Sequence, residues 1–529
     1  MHHPAFNIDD FEDQATWDLI SSGKTKGVFQ LESKLGSSWA KRVKPQNIEE
    51  LADLISIIRP GTLEAMLDGK SMTKHYVDRK SKVDEVKFLD PALEPLLGNT
   101  YGIIVYQEQA MKIASTLAGF TPEEADSLRK AMGKKDAALM NEIREKFVSG
   151  CGKQNIINTQ SAVQIFDWIQ ASARYSFNKS HAVAYAINSF RSAYCKAHSP
   201  LKFYEVYLNH AHNKPDKQKE LKEVIMDARM HGIEVYPPRL KHFYKKFTMD
   251  ESKEIIYFGF SNVKYVGEGE QEKLSCIIEE AEKSANKKLE EFNWMDCLFH
   301  IGARIKRNAF ISIVSVGGMN GKNNTKTRNS MLFEYGIWDS LTQKEKAWIH
   351  EYYLANGLHT LEQLIKIMIN KCDKINVRRM KSVLDILSAL STPAYSLDDS
   401  IEWIADIEEK LMGCSLSCAK IDSSQSMGYD VDVTCKDIVN GTATQCSEIA
   451  IKITECKDYT IKSGKSMGKI MGFISGEDHS GLCDSFVIFP DEYLKFKKLL
   501  FSGNTVLLSG EIKQRGKDLS FIVNKVKQV

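Results

Sequence analysis

The chain has 529 residues, 43% hydrophobic and 26% charged, enough to build more than one buried core and too apolar for a disordered polymer. Its formal charge of +2 gives no global attraction to nucleic acid or to a membrane surface, so any such surface has to be local. Eleven cysteines are scattered along it; Cys414 and Cys418 are close, but no second Cys/His pair stands at zinc spacing, and no secretory signal or membrane-length apolar run occurs, which together predict free thiols in the cytoplasm.

Residues 1 to 210 read as mainly helical, interrupted at Gly23, Gly27, Pro60-Gly61 and Gly102. Thr121-Pro122-Glu123-Glu124 is a helix start: Thr121 can cap, Pro122 suits the first helical position, and Glu124 completes a capping box. Ala125, Leu128 and Met132 then share one face, leaving Arg129, Lys130, Lys134 and Lys135 outside or at the helix end. This run carries four cations and no anion. Cations at a helix C-terminus are favoured by the dipole with or without a ligand.

Fifty residues on, Asn178-Lys179-Ser180-His181 places an amide, an ammonium, a hydroxyl and an imidazole in four positions just before an apolar helix. Lys179 and His181 could pair with a polyphosphate while Asn178 and Ser180 add neutral hydrogen bonds near a helix N-terminus. The same residues also read as plain caps, with Lys179 solvated and His181 packed. From Ile255 to Phe260 a strand-like piece is expected, followed by Val263 to Gly269, whose spaced valines and paired glycines suit a hairpin between two helices. Such a turn can offer N–H groups to a DNA phosphate. Residues 318–330 read as a loop, Thr342 to Met412 as helices broken at Ser391–Asp399, and Asp422 to Ser447 as irregular.

The period changes at the end of the chain. Ile449–Ile453, Met467–Ser475, Ser485–Phe489, Thr505–Ser509 and Leu519–Val523 are strand candidates, with turn signals at Ser463-Gly464, Ser480-Gly481 and Arg515-Gly516 and a helix at Glu492–Leu500. Five strands with one inserted helix predict a five-stranded OB-type barrel, a fold that binds single strands or proteins. From Lys457 onward twelve Lys/Arg face eight Asp/Glu.

Nucleotidyl transfer needs metal ions held by carboxylates. The acidic pairs Asp9-Asp10 and Asp398-Asp399 lie in polar, loop-like contexts. Glu408-Glu409 falls on a helix, where a solvated face is expected. None is a persuasive metal site, and no Gly-x-x-x-x-Gly-Lys-Ser/Thr loop is present.

In order along the chain, several blocks resemble the C-family replicative DNA polymerases, the bacterial DNA polymerase III alpha subunits. They are Gly27-Val28-Phe29-Gln30-Leu31-Glu32-Ser33, Arg59-Pro60-Gly61 (with Thr62 in place of a second proline), Tyr101 to Gln109, Arg129 to Lys135, Phe177 to Tyr185 and Lys196 to Pro200. Gly259 to Gly269 is similar to that family's hairpin region, Glu409 to Ser417 to its pre-barrel helix, and the tail to its OB fold.

The resemblance implies a multidomain α + β chain: polymerase fingers over 1–210, a duplex-binding helix-hairpin-helix region over 211–420, and a linker with an OB fold over 421–529. It implies that Arg129, Lys130, Lys134, Asn178, Lys179, Ser180, His181 and Tyr185 bind an incoming dNTP, and that Lys264, Tyr265, Gly267 and Gly269 lie along primer-template DNA. The family's PHP domain, thumb and palm, with the catalytic aspartates, have no counterpart in the sequence. A split polymerase is therefore expected, in which a palm- and PHP-bearing partner holds Mg²⁺ and this chain alone is inactive. A sliding clamp is a further candidate partner, although Gln363 to Met368 reads as a core helix rather than a clamp-binding peptide. The alternatives are a non-catalytic DNA-binding or scaffold protein, or a fragment of a polymerase.

Overall fold

The computed structural model describes residues 7–134, 137–173, 175–240, 245–321, 323–357, 359–371, 377–418, 431, 433–443, 447–464, 466–515 and 518–528. The chain divides into two units, Met1–Phe203 and Tyr204–Val529.

The first unit is helical. Its principal helices are α1 (Gln14–Ser21), α2 (Ile48–Ile57), α3 (Gln107–Ala118), α4 (Pro122–Lys134), α5 (Ala137–Gln154), α6 (Thr159–Ser172) and α7 (Lys179–His198), and a small hairpin pairs β1 (Met66–Leu67) with β2 (Lys70–Ser71). Two cores form. Trp17, Ile20, Leu51, Leu54, Ile55 and Phe190 join α1, α2 and α7. Ile113, Leu117, Leu128, Phe147, Phe166 and Ile169 join α3 to α6. Each such side chain contributes roughly 1.5–3 kcal/mol on burial.

α4 starts as its sequence demands. The Thr121 N–H donates to Glu124 (2.9 Å) and the Glu124 N–H to the Thr121 hydroxyl (3.3 Å), while Ala125, Leu128 and Met132 are buried. The expected interruption falls at Ile58 and Arg59, between the end of α2 and Pro60. Proline there opens a short helix, Pro60–Glu64, because its fixed φ suits the first helical position.

The second unit holds a three-stranded sheet of β3 (Glu234–Tyr236), β4 (Thr248–Asp250) and β5 (Ile255–Tyr257) in the order β3-β5-β4. Its helices include α8 (Gly267–Ala285), α9 (Arg328–Ser340) and α10 (Ile401–Met412). Leu364, Ile365 and Met368 are buried on the helix Leu361–Lys371, as a core helix requires.

Residues 318–330 and Glu408 depart from expectation. The stretch read as a loop to residue 330 ends earlier, because the Thr327 hydroxyl caps α9 through the Ser330 N–H (3.1 Å). Glu408 is not on a solvated face. Its fully buried carboxylate accepts from the Arg328 guanidinium (2.8 Å), from the Leu416 (2.7 Å) and Ser417 (2.9 Å) N–H groups, and from the Ser417 hydroxyl (2.5 Å). A buried carboxylate is tolerated only when its lone pairs are met in this way.

The chain ends in a closed barrel ordered β10-β8-β7-β6-β9, from β6 (Ser447–Thr460), β7 (Ile470–Asp478), β8 (Gly481–Ile488), β9 (Thr505–Arg515) and β10 (Asp518–Gln528). Among the described pairings of this barrel, only β8–β10 is parallel. β6 pairs with β9 through its first half and with β7 through its second, with an irregularity between Ile453 and Glu455. A strand bent this way at a bulge lets five strands close, which is the OB-type arrangement.

Ile449, Ile451, Ile453, Ile474, Phe486, Ile488, Val506, Leu508, Phe521 and Val523 fill the interior at alternate positions. At Gly510 a Cβ would lie 2.1 Å from the Ile522 carbonyl, so only glycine lets β9 and β10 approach. The expected inserted helix is α12 (Pro490–Phe496), which buries Tyr493. The stretch expected to be irregular, Asp422 to Ser447, contains α11 (Cys435–Asn440), capped reciprocally by Thr434 and Asp437; residues 422–430 lie outside the described residues. The described cysteines are free thiols, and no described helix is long and apolar enough to cross a membrane.

Candidate functional site

Two helix starts lie side by side in the first unit. Tyr106, immediately before α3, bridges in parallel to Phe177, just before α7: the Phe177 N–H donates to Val105 and the Gln107 N–H to Phe177, both at 2.9 Å. Asn178 caps α7 by accepting from the His181 N–H (2.9 Å) and the Ser180 hydroxyl (2.7 Å). The Glu108 carboxylate, in the first turn of α3, closes this corner. Oε1 accepts from the Asn178 amide and Oε2 from the Lys179 N–H, both at 2.9 Å. The positive end of α7 is thus already met by an internal anion.

Side chains leave this corner as a ladder. The Phe177, His181, Tyr185 and Phe29 rings follow one another at centroid distances of 5.4, 4.1 and 5.1 Å. Phe29 is fixed by its backbone, which accepts from the Ser189 hydroxyl (2.8 Å) and donates to the Ser192 hydroxyl (3.0 Å). The Lys179 ammonium is 5.8 Å from the Tyr106 ring centre and 3.5 Å from the exposed Glu49 carboxylate.

Below it, Asp53 is buried and accepts from the Tyr106 (2.6 Å) and Tyr76 (2.8 Å) hydroxyls. Burial pushes the Asp53 carboxyl up to about 6, although both hydroxyls and the Lys179 charge pull it down. Burial and the Asp53 charge in turn push both tyrosines well above their ordinary value.

The structure brings together Asn178, Lys179, Ser180, His181 and Tyr185. Arg129 and Lys130 stand on the other core: α4 packs on α3 and α5, whereas α7 packs on α1 and α2. Both cations pair with Asp126 on their own helix, at 2.8 Å. Lys134 closes α4, and its side chain, like all of Lys135, lies outside what is described.

Three nearby residues escaped the sequence reading: Glu108, Asp53 and Arg59. The Arg59 guanidinium lies 3.6 Å over the Phe177 ring centre. Glu108 and Arg59 stand inside blocks that carry the family resemblance, which was the available signal; Asp53 had none.

In the second unit, the expected hairpin between two helices is a turn between a three-residue 3₁₀ helix, Phe260–Asn262, and α8. The preceding segment is committed to the sheet, since the Phe258 N–H still bonds to Tyr236 (2.9 Å), and no length remains for a first helix. Lys264 gives its N–H to the Leu411 carbonyl (2.9 Å), and its ammonium lies 5.4 Å from the exposed Tyr265 ring. Gly267, at φ +47°, begins α8, and Gly269 lies within the first turn rather than in the loop.

An open cleft of about 420 Å³ adjoins them, with Lys273 and Lys306 on its wall. Both lysines face Glu270, at 4.0 and 3.1 Å. Burial pushes the Glu270 carboxyl up, but the Lys306 N–H and the two ammoniums more than offset this and leave it below its usual value.

The model of the bacterial DNA polymerase III alpha subunit finger domain matches residues 4–155. The DNA polymerase III subunit alpha of Staphylococcus aureus strain MRSA252 is 30% identical over 525 residues, 98% of this chain and 43% of that protein. The chain is related to the DNA polymerase III alpha subunit. The subunit alpha of Staphylococcus epidermidis strain ATCC 12228 is 28% identical over 530 residues, again 98% of this chain and 43% of the relative.

The chain therefore spans less than half the length of these polymerase III alpha relatives. The finger match includes Asp53, Arg59, Tyr106, Glu108, Arg129 and Lys130, and the longer alignments extend the likeness over nearly the whole chain. Among the described residues no group of three or more His, Cys, Asp or Glu side chains is placed to hold a metal ion. Glu108, Asp53 and Glu408 are each occupied by N–H or O–H donors.

Proposed function

We propose that this chain supplies the fingers, the duplex-binding region and the OB barrel of a polymerase III alpha enzyme. It binds the incoming dNTP and primer-template DNA, and supports template-directed synthesis with a palm- and PHP-bearing chain. Lys179, His181 and Tyr185, presented together at the start of α7 in a chain related to polymerase III alpha, are the observation that carries this reading.

In it, Lys179 and His181 face the triphosphate, and Asn178, Ser180 and Glu108 hold the helix start rigid. Tyr185 shapes the nucleotide pocket. Arg129, Lys130 and Lys134 join the triphosphate as the fingers close over it. Lys264, Tyr265, Gly267 and Gly269, with the cleft beside them, follow the duplex backbone. The described carboxylates do not fit a Mg²⁺ site, so Mg²⁺ is assigned to the partner's palm. What these residues contribute is positioning and charge neutralisation.

Primer extension by this chain alone, by the palm-bearing chain alone and by their mixture tests the proposal. Activity restricted to the mixture is expected. A mixture that binds primer-template but never extends it would move the reading to a non-catalytic DNA-binding scaffold.

A further inference from the structure

We propose that Arg59 is a further phosphate-binding residue of the nucleotide site, gripping the polyphosphate beside Lys179. The inference rests on the nucleotide reading of α7. Pro60 restricts the preceding residue to extended backbone, and Arg59 has φ −80° and ψ 150°, a conformation fixed before any ligand arrives. The guanidinium lies over Phe177, whose own N–H and C=O are tied to Val105 and Gln107, so the ring beneath it is rigid.

The Arg59 Nε is buried without a hydrogen-bond partner, and no carboxylate among the described residues pairs with this side chain. Burial draws its pKa below the usual value, and the Tyr185 phenol is the group that opposes this. A guanidinium stays charged in proteins, so the charge persists with no carboxylate counter-ion among the described residues.

The neighbouring cations differ in this respect. Arg129 and Lys130 share Asp126, and Lys179 lies near Glu49. The start of α7 cannot serve as the main anion seat, because Glu108 already accepts from the Asn178 amide and the Lys179 N–H. The phosphates are instead held from the side. Arg59 over Phe177 and Lys179 near Tyr106 stand beside two backbone-bridged rings, so the bridge brings both cations to the same corner of the fold.

Isothermal titration of the full chain with inorganic tripolyphosphate and with dTTP, over a series of salt concentrations, tests this. Arg59→Ala is expected to weaken tripolyphosphate at least tenfold and to flatten the salt dependence by about one charge, and Arg59→Lys to restore the salt slope but only part of the affinity. Wild-type affinity and slope in Arg59→Ala, with Lys179→Ala weakened, would overturn the role of Arg59 and leave the nucleotide reading intact. A wild-type chain that binds neither probe would overturn both. A structural role alone would lower the thermal midpoint of Arg59→Ala and of Arg59→Lys without altering the salt slope, and that result also overturns the inference.

Discussion

Replacing Glu108 with glutamine should move stability and anion affinity in opposite directions. The carboxylate uses both oxygens, one for the Asn178 amide and one for the Lys179 N–H. An amide has a single acceptor, so one of these donors would face an NH₂ group. An unmet donor costs roughly 1–3 kcal/mol, and half-burial places this one in the lower part, about 1–2 kcal/mol.

For a unit of this size that corresponds to a fall of about 2–8 °C in the thermal midpoint. Removing the negative charge also removes its repulsion of a bound phosphate. At roughly 5 Å and an effective dielectric of about 40–80 this is worth about 0.8–1.7 kcal/mol, or a 4- to 16-fold gain in affinity. Differential scanning fluorimetry and tripolyphosphate titration of Glu108→Gln measure the two quantities on one sample. Weaker binding with an unchanged midpoint would refute both the capping role and the placement of phosphate beside it.

Glu408→Ala should destabilise the second unit by about 3–5 kcal/mol, because it leaves the buried Arg328 guanidinium uncompensated; a urea midpoint equal to wild type would show that solvent reaches the pair. Asp53 gives a pH signature. Its folded pKa of about 6 exceeds the ordinary 3.8, so the folded state binds the extra proton, and its contribution to stability is lost as pH rises from about 4 to about 6. Against Asp53→Asn, the wild-type thermal midpoint should therefore fall across that window, by the equivalent of roughly 2–3 kcal/mol, and parallel curves would contradict the assignment. Lys179→Ala in the mixed polymerase should slow extension by an amount equivalent to about 2–4 kcal/mol, as loss of a preorganised donor does; single-turnover kinetics with an unchanged rate would remove Lys179 from the site.

What could be read in the sequence was local. The Thr121–Glu124 box, the Asn178 cap and the five barrel strands rest on contacts a few residues apart or on a period-two pattern. Even there β6 was expected only over Ile449–Ile453, because its second half carries Glu455, Lys457 and Asp458 and loses the apolar alternation where the strand bends. What could not be read was set by distant partners. Glu408 looked solvated because Arg328, which makes its burial tolerable, lies 80 positions away. Glu108 and Asn178 are 70 apart, and Arg59 gains its meaning only once Phe177 is folded beneath it.

The carboxylates around Lys179 fall into two kinds, and the difference says how the site would open. The Glu49 side chain is 63% exposed and reaches Lys179 at 3.5 Å, a surface pair worth about 0–1 kcal/mol, so an incoming phosphate can displace it cheaply. Glu108 is held by two hydrogen bonds and Asp53 by two buried hydroxyls, so neither can leave without dismantling a helix start or a core. On the proposed nucleotide reading, a polyphosphate would meet Arg59 with no competing carboxylate among the described residues, then exchange with Glu49 for Lys179, while Glu108 and Asp53 stay in place and hold the rings beneath the two cations.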